Sequence, residues 1–150
     1  MSDDKNSLAI SLFSEVLAAD QMIRNRLHRV LPKGMEISHF SVLNHLAWHE
    51  GERSPAQLAE TFNVTRGAMT NTLNRLEWAG YVHIRPDWDD ARRKMVALSP
   101  AGRRARDQAL SAIAPMVSDV IDKLGEGAVR ATVPILRQMR AELSDKVKPD

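Results

Sequence analysis

Polar residues with the chemistry of base recognition recur on one side of a helix predicted over residues 66–79. On a helical wheel they occupy an arc of about 140°. The arc holds Arg66, Gly67, Thr70, Asn71 and Asn74. Arginine donates two hydrogen bonds to guanine, asparagine pairs with adenine, and the threonine methyl can contact that of thymine. The arc therefore suits the base-pair edges of a DNA major groove.

A charged loop between two predicted strands forms a second cluster. Alternating apolar residues predict strands over 81–85 and 94–98, and the intervening segment ends on the cations Arg92, Arg93 and Lys94. An arginine at the tip of such a hairpin can enter a minor groove. We expect Asp90 to pair with an arginine and set the shape of the loop, leaving Arg92 free to point outward. We call this hairpin the wing, and we assign Arg75 together with Asp90 to positioning it.

Local start and stop signals place these clusters on a helix-turn-helix. Ser54 and Gln57 form a capping box around a helix predicted over 55–61, and Thr65 caps the next helix, which Gly80 ends. Ser38 is predicted to cap the preceding helix. We expect phosphate contacts near the helix N-termini at Ser38, Ser54 and Thr65.

Long helices flank this region. Apolar residues at helical spacing predict one helix over 8–31, about 36 Å long, which is too long for one small domain to cover, so part of it is expected to meet a second subunit. Ser99-Pro100 opens another helix, which Gly125 and Gly127 are expected to break before a last helix whose apolar stripe ends at Val147. Pro115 and Pro134 are expected to kink these helices unless the boundaries lie elsewhere.

The predicted fold class is α+β, mainly α, in a single domain of residues 1–150. A winged helix-turn-helix lobe spans 36–99, and helices over 8–31 and 100–147 form a dimerisation region.

Composition excludes several classes of protein. The 150 residues include no cysteine, which removes disulfide frameworks and thiolate metal sites, and they include no P-loop, G-x-G-x-x-G or H-E-x-x-H motif. We therefore expect no enzyme and no cofactor. The N-terminus lacks the features of a signal peptide and no apolar run approaches 18 residues, so we expect a cytoplasmic protein with no membrane contact.

Charge is distributed unevenly along the chain. Residues 62–106 carry nine cationic and four acidic side chains, a net charge of +5, whereas the whole chain carries only +2. Fifteen of the 21 cationic residues are arginine, whose planar fork fits phosphate and guanine. The middle of the chain is thus suited to a polyanion.

Histidine and tryptophan residues outside the arc suggest two further sites. His45 and His49 lie four apart on a helix, a spacing that can place two imidazoles on one metal, although His28, His39 or His83 would have to supply a third ligand. The pair can instead line an effector pocket with Trp48, and a structural role is the commoner outcome. For Trp78 and Trp88 we favour packing against neighbouring elements over contact with DNA.

Several segments together resemble the MarR family of bacterial winged-helix regulators. They run from Ile37-Ser38 through the 54–59 and 69–82 segments to Asp90-Ala91-Arg92-Arg93 and the 96–102 segment. The resemblance implies an obligate homodimer on a pseudo-palindromic operator, and a repressor released when a phenolic or other anionic aromatic ligand binds between the dimer helices and the lobe. By position, the 66–79 helix matches the recognition helix, and Asp90 and Arg92 match the wing Asp-x-Arg. Trp88 and Ala91 depart from the family's usual wing.

Two alternatives to a ligand-released regulator of double-stranded DNA remain open. A metal-responsive regulator of the same fold would use the histidine pair, and a winged-helix module that binds proteins would have lost DNA binding. A chelator would change DNA binding only by the metal-responsive regulator. Salt-dependent DNA binding would distinguish a DNA-binding regulator from the protein-binding module.

Overall fold

A computed structural model describes residues 2–49 and 51–144. Six helices and one hairpin follow each other along these residues: α1 (Ser2–Val30), α2 (Ile37–Trp48), α3 (Pro55–Thr61), α4 (Arg66–Trp78), β1 (Val82–Pro86), β2 (Lys94–Leu98), α5 (Pro100–Leu124) and α6 (Glu126–Leu143). The predicted mainly helical α+β class is confirmed. None of the helices in this part of the chain is both long and apolar enough to cross a bilayer.

The chain forms two compact units whose boundary, between Ile113 and Ala114, lies inside α5. The first unit contains α1, the predicted lobe and the start of α5. Its core is a cluster of buried aliphatic side chains, in which Leu43, Leu58, Leu73, Val42, Val82 and Val96 are the largest fully buried ones. Burying each of these side chains contributes about 1.5–3 kcal/mol.

Capping residues set the ends of α3 and α4. The Ser54 hydroxyl accepts from the Gln57 amide at 3.1 Å, and the Ser54 amide donates to the Gln57 side chain at 2.9 Å. The Thr65 hydroxyl accepts from the Ala68 amide at 3.1 Å. Gly80 follows α4 with φ +80°, a left-handed conformation that glycine adopts without strain. The predicted capping box and the predicted ends of α4 are confirmed.

The start of α2 differs from the prediction. Its N-cap is Glu36, whose amide donates to His39 Nδ1 at 3.1 Å, and Ser38 lies inside the first turn. The sequence rule failed because it looks for Ser, Thr, Asp or Asn at the cap, whereas here an imidazole satisfies the exposed amide. The helix ends at Trp48, with Gly51 beyond it in the left-handed region.

The outer helices also differ from the predicted boundaries. Helix α1 begins at Ser2, six residues earlier than predicted, and the acidic Asp3 and Asp4 in its first turn favour a helix N-terminus there. Both α5 and α6 continue through Pro115 and Pro134. Gly125 separates them as predicted, but Gly127 lies within α6, and Val147 lies outside the described residues.

The hairpin pairs β1 with β2 in antiparallel register, and Val82 lies opposite Leu98 and Ile84 opposite Val96. These four residues are the apolar members of the predicted alternation, and they pack into or against the core. An isolated bridge between Arg53 and Val96 extends the sheet toward the segment before α3. The hairpin is therefore fixed to the helix-turn-helix by backbone hydrogen bonds, Arg53 N to Val96 O at 3.1 Å and Val96 N to Arg53 O at 2.7 Å.

Candidate nucleic-acid interface

Helix α4 presents a polar outer face. Its apolar Met69, Leu73 and Leu76 are buried against the core. On the other side the side chains of Arg66, Thr70, Asn71 and Asn74 are all exposed, and none of these four makes a hydrogen bond or ion pair in the described part of the chain. Such a face offers unsatisfied donors and acceptors to a partner with a matching polar surface.

A groove continues this face toward the hairpin. A cavity of about 220 Å³ lies between α4 and the strands, lined among others by Thr70, Asn74, Arg85 and Lys94. The structure thus brings the predicted helical arc and part of the predicted wing to the borders of one groove.

The turn of the wing is closed by its own backbone and by Asp90. Asp87 N donates to Arg93 O and Arg93 N donates to Asp90 O, both at 2.9 Å. Asp90 also accepts from the Arg92 amide at 3.0 Å and from Arg92 Nε at 3.1 Å. These hydrogen bonds from Arg92 lower the pKa of the Asp90 carboxyl below its usual value. The expected pairing of Asp90 with an arginine is confirmed.

The arginine that pairs with Asp90 is Arg92 itself, so the expectation that this pairing leaves Arg92 free to point outward is wrong about the pairing partner. The two residues are only two apart, and the turn brings the guanidinium back over the carboxylate. The Arg92 side chain is nevertheless 90% exposed. Because solvent screens a pair with so exposed a guanidinium, Asp90 orients Arg92 without preventing it from binding another anion.

Arg75 does not position the wing. Its guanidinium pairs with Glu36 at 3.4 Å, between the end of α4 and the start of α2. It lines a second cavity of about 270 Å³ together with His39 and Tyr81. The prediction is wrong because Arg75 lies on the side of α4 that faces α2.

Arg85 holds the wing instead, and no residue pattern in the sequence indicates this role. Its Nε donates to Glu52 Oε1 at 3.0 Å, and its second terminal nitrogen donates to the other Glu52 oxygen. It also donates to the carbonyl of Pro86 at 2.8 Å, and its guanidinium lies 4.6 Å from the ring centroid of Trp88. The two side chains of this pair are 30% and 29% exposed, so the pair is screened less than the ion pair of the wing tip.

The three predicted phosphate-contact residues differ in accessibility. Ser54 is buried and its hydroxyl is used in the cap of α3, so a DNA contact through this side chain is contradicted. Thr65 and Ser38 are exposed. The acidic Glu36 at the start of α2 makes that helix N-terminus less favourable for a phosphate than expected.

The tryptophans follow different patterns. Trp88 is 83% exposed and its ring contacts the guanidinium of Arg85, which agrees in part with the packing prediction. Trp78 is 94% exposed, so for this residue the packing prediction is wrong. Trp48 is 76% exposed, and the Arg106 guanidinium lies 6.0 Å from its ring.

His45 and His49 lie next to each other on α2. Their ring centroids are 4.6 Å apart, and the edge of Phe62 lies against His45. Within residues 2–49 and 51–144 no group of three potential metal ligands comes together. The Arg53 guanidinium lies 3.1 Å from His49 Nε2, and the buried His45 Nε2 has no hydrogen-bond partner among the residues that the structure describes.

Burial lowers the pKa of His45, and the adjacent His49 and Arg53 lower it further. The folded protein therefore resists protonation of this ring, while the unfolded chain takes up the proton near pH 6.5. Stability should fall as the pH decreases from 7 through this range toward the lowered pKa. Replacing His45 with glutamine should make the decrease between pH 7 and 5 shallower, as measured by urea unfolding at several pH values. Identical pH dependences for the two proteins would contradict this assignment.

Comparisons with known proteins agree with this geometry. A model of the MarR family matches residues 33–93. A relative from Bacillus subtilis, the uncharacterized HTH-type transcriptional regulator YdgG, is 26% identical over 145 residues, covering 95% of each chain.

Two solved structures share the fold. A mutant MarR from E. coli complexed with operator DNA has a TM-score of 0.76 at 23% identity, covering 87% of this chain and 94% of the other. The PcaV transcriptional regulator from Streptomyces coelicolor, in complex with its natural ligand, has a TM-score of 0.75 at 18% identity, covering 87% and 91%. None of these names describes an enzyme.

Proposed function

We propose that the chain is a member of the MarR family, a model of which matches residues 33–93, and that it is a homodimeric transcriptional regulator that binds double-stranded DNA in a sequence-specific manner and responds to a small molecule. It acts in the cytoplasm, where its DNA lies. The observation that carries this proposal is the exposed, unpaired polar face of α4 beside a wing that ends on Arg92, Arg93 and Lys94.

Each part of the interface has a different task. The side chains of Arg66, Thr70, Asn71 and Asn74 read base edges in a major groove. Arg92 enters the adjacent minor groove, while Arg93, Lys94 and the N-terminus of α4 at Thr65 contact phosphates and fix the register. With two-fold symmetry, the half-sites lie about 10 bp, roughly 34 Å, apart.

The helices outside residues 36–99 supply the dimer contact. Helix α1 exposes large apolar side chains, among them Leu8, Leu12, Leu17 and Ile23. Helix α6 buries none of its described residues and exposes Ile135 and Leu136. A second subunit would remove these side chains from water, which is the main favourable term in association.

The response to a ligand follows from a difference in affinity. A phenolic or other anionic aromatic compound releases the operator only when it binds more tightly to a lobe arrangement that does not fit DNA. His45, Trp48 and His49 are the candidate residues for this pocket. A repressor is the form of regulation that this release mechanism supports.

DNA binding is tested with a duplex that the protein itself selects from a random-sequence pool. Fluorescence anisotropy across about 50–200 mM salt should show a steep loss of affinity, since phosphate contacts release counterions. A protein-interaction module would retain no duplex. Adding a chelator distinguishes a metal-responsive regulator, whose binding would change.

Arg92 should contribute charge to this interface without supporting the fold. Arg92→Ala is expected to lower affinity about tenfold and to reduce the slope of log affinity against log salt by about one per subunit. Arg24→Ala, which removes another exposed arginine paired with an aspartate, is the control and should leave both quantities unchanged. A wild-type salt titration for Arg92→Ala would contradict the role of the wing.

A further inference from the structure

Trp78, the last residue of α4, has an unusual environment. Its side chain is 94% exposed, and in the described residues it makes no hydrogen bond, ring contact or cation–π contact. Tryptophan is highly buried on average, and leaving so large a ring in water is unfavourable. The ring is therefore free to contact a partner that approaches this end of α4, and its place on the helix decides which partner that is.

The position of Trp78 on α4 identifies the partner. Trp78 follows Met69 by nine residues, so at about 100° per residue it lies about 180° from that buried side chain. Asn71 lies within about 20° of Trp78 around the helix axis, because the two are seven residues apart and seven residues make almost two full turns. Trp78 thus continues the outer face that the proposed interface presents to DNA.

The distance between Asn71 and Trp78 along the helix determines which part of the DNA Trp78 can contact. Trp78 lies about 10 Å beyond Asn71 at about 1.5 Å per residue. The major groove is about 12 Å wide. For a helix that crosses the groove with Asn71 at the base edges, this offset places Trp78 at the wall of the groove, which is formed by the sugar–phosphate backbone.

We infer that Trp78 is a DNA-backbone contact that extends the footprint of the recognition helix beyond its polar residues. The indole ring packs against deoxyribose, and Nε1–H donates a hydrogen bond to a phosphate oxygen. This inference rests on the proposed function. It predicts a contact that adds affinity without reading sequence and without releasing a counterion.

The affinity test uses two variants of Trp78. Trp78→Ala should lower affinity about tenfold on both the duplex selected from the random pool and a scrambled duplex of the same length, with an unchanged salt slope. Trp78→Phe, which keeps a ring but loses the N–H donor, should lose about threefold. A variant that binds both duplexes with wild-type affinity would overturn the inference, as would a loss confined to the selected sequence.

Fluorescence tests the contact directly. The variant Trp48→Phe/Trp88→Phe leaves Trp78 as the sole tryptophan, and Trp78→Phe/Trp88→Phe leaves Trp48 as a matched reporter on α2. Acrylamide should quench Trp78 strongly in the free protein and much less after the selected duplex is added. Quenching of Trp48, which lies outside the proposed DNA interface, should change much less than that of Trp78.

The possible outcomes separate the inference from the proposed function. If the wild-type protein binds no duplex, the proposed function itself fails. If DNA binds and Trp78 stays as accessible to acrylamide as before, only the backbone contact is refuted. Protection of Trp78 before DNA is added would also overturn the inference, because another copy of the chain would then cover this ring.

Discussion

Gly102→Ala should lower the free energy of unfolding by about 3 kcal/mol or more. A Cβ atom at this position would lie 2.0 Å from the carbonyl oxygen of Tyr81 and 2.9 Å from Leu98 Cδ1. The nearer atom belongs to the backbone and cannot rotate away. Since small domains are stable by only about 5–15 kcal/mol, much of the folded population should be lost.

The close approach at Gly102 cannot relax because hydrogen bonds fix both segments. The Ser99 amide donates to the Tyr81 carbonyl at 3.0 Å, and the Ser99 hydroxyl donates to the Gly80 carbonyl at 2.6 Å. The same hydroxyl accepts from the Gly102 amide at 2.9 Å. Separating Gly102 from Tyr81 would therefore break the junction between the end of α4, the hairpin and α5.

Gly127→Ala is the matched control. Gly127 also lies inside a helix, but an added Cβ would meet no atom within 4 Å. Alanine at this position should leave stability unchanged or raise it by up to about 1 kcal/mol, because glycine is a poorer helix former. Urea unfolding followed by circular dichroism checks both variants, and a wild-type midpoint for Gly102→Ala would refute the steric argument.

The elements that could be predicted from sequence depend on neighbours within a few residues. The caps at Ser54 and Thr65, the Gly80 termination and the alternation of Val82 and Ile84 are all local, so their residue types and spacing sufficed. The same locality explains the error at Ser38. A rule based on the usual capping residues has no term for the imidazole of His39.

The features that escaped prediction depend on residues far apart in the chain. Glu52 and Arg85 are 33 positions apart, and Glu36 and Arg75 are 39 apart. Charge pattern alone does not distinguish Arg75 from Arg85, and only the fold decides which arginine meets the wing. Tertiary packing likewise sets the close approach at Gly102, which in sequence is simply a glycine near the start of a helix.

The exposed face of α4 could be predicted only as a set of residue types. The side of the helix away from the polar arc carries Met69, Leu73 and Leu76 at helical spacing, and all three are buried. Which outer residue reads which base is determined by the docked DNA and stays a prediction. Asn71 lies almost opposite the buried Met69, which makes it the sharpest test of base recognition.

Asn71→Ala should weaken binding to the selected duplex by about 30-fold to 10⁴-fold, since a lost bidentate contact costs about 1–3 kcal/mol and the dimer loses two. Asn71 is exposed and makes no hydrogen bond within the described residues, so the fold should tolerate the change. Binding to a scrambled duplex should hardly change, because phosphate contacts supply that affinity.

Competition between the two duplexes in fluorescence anisotropy measures the loss of discrimination. Replacing the adenine that Asn71 reads should then cost the wild-type protein affinity but cost the variant little. An equal loss of affinity on both duplexes would instead indicate that Asn71 contacts the DNA backbone. In that case α4 would not enter the major groove with Asn71 and Gly67 facing the bases.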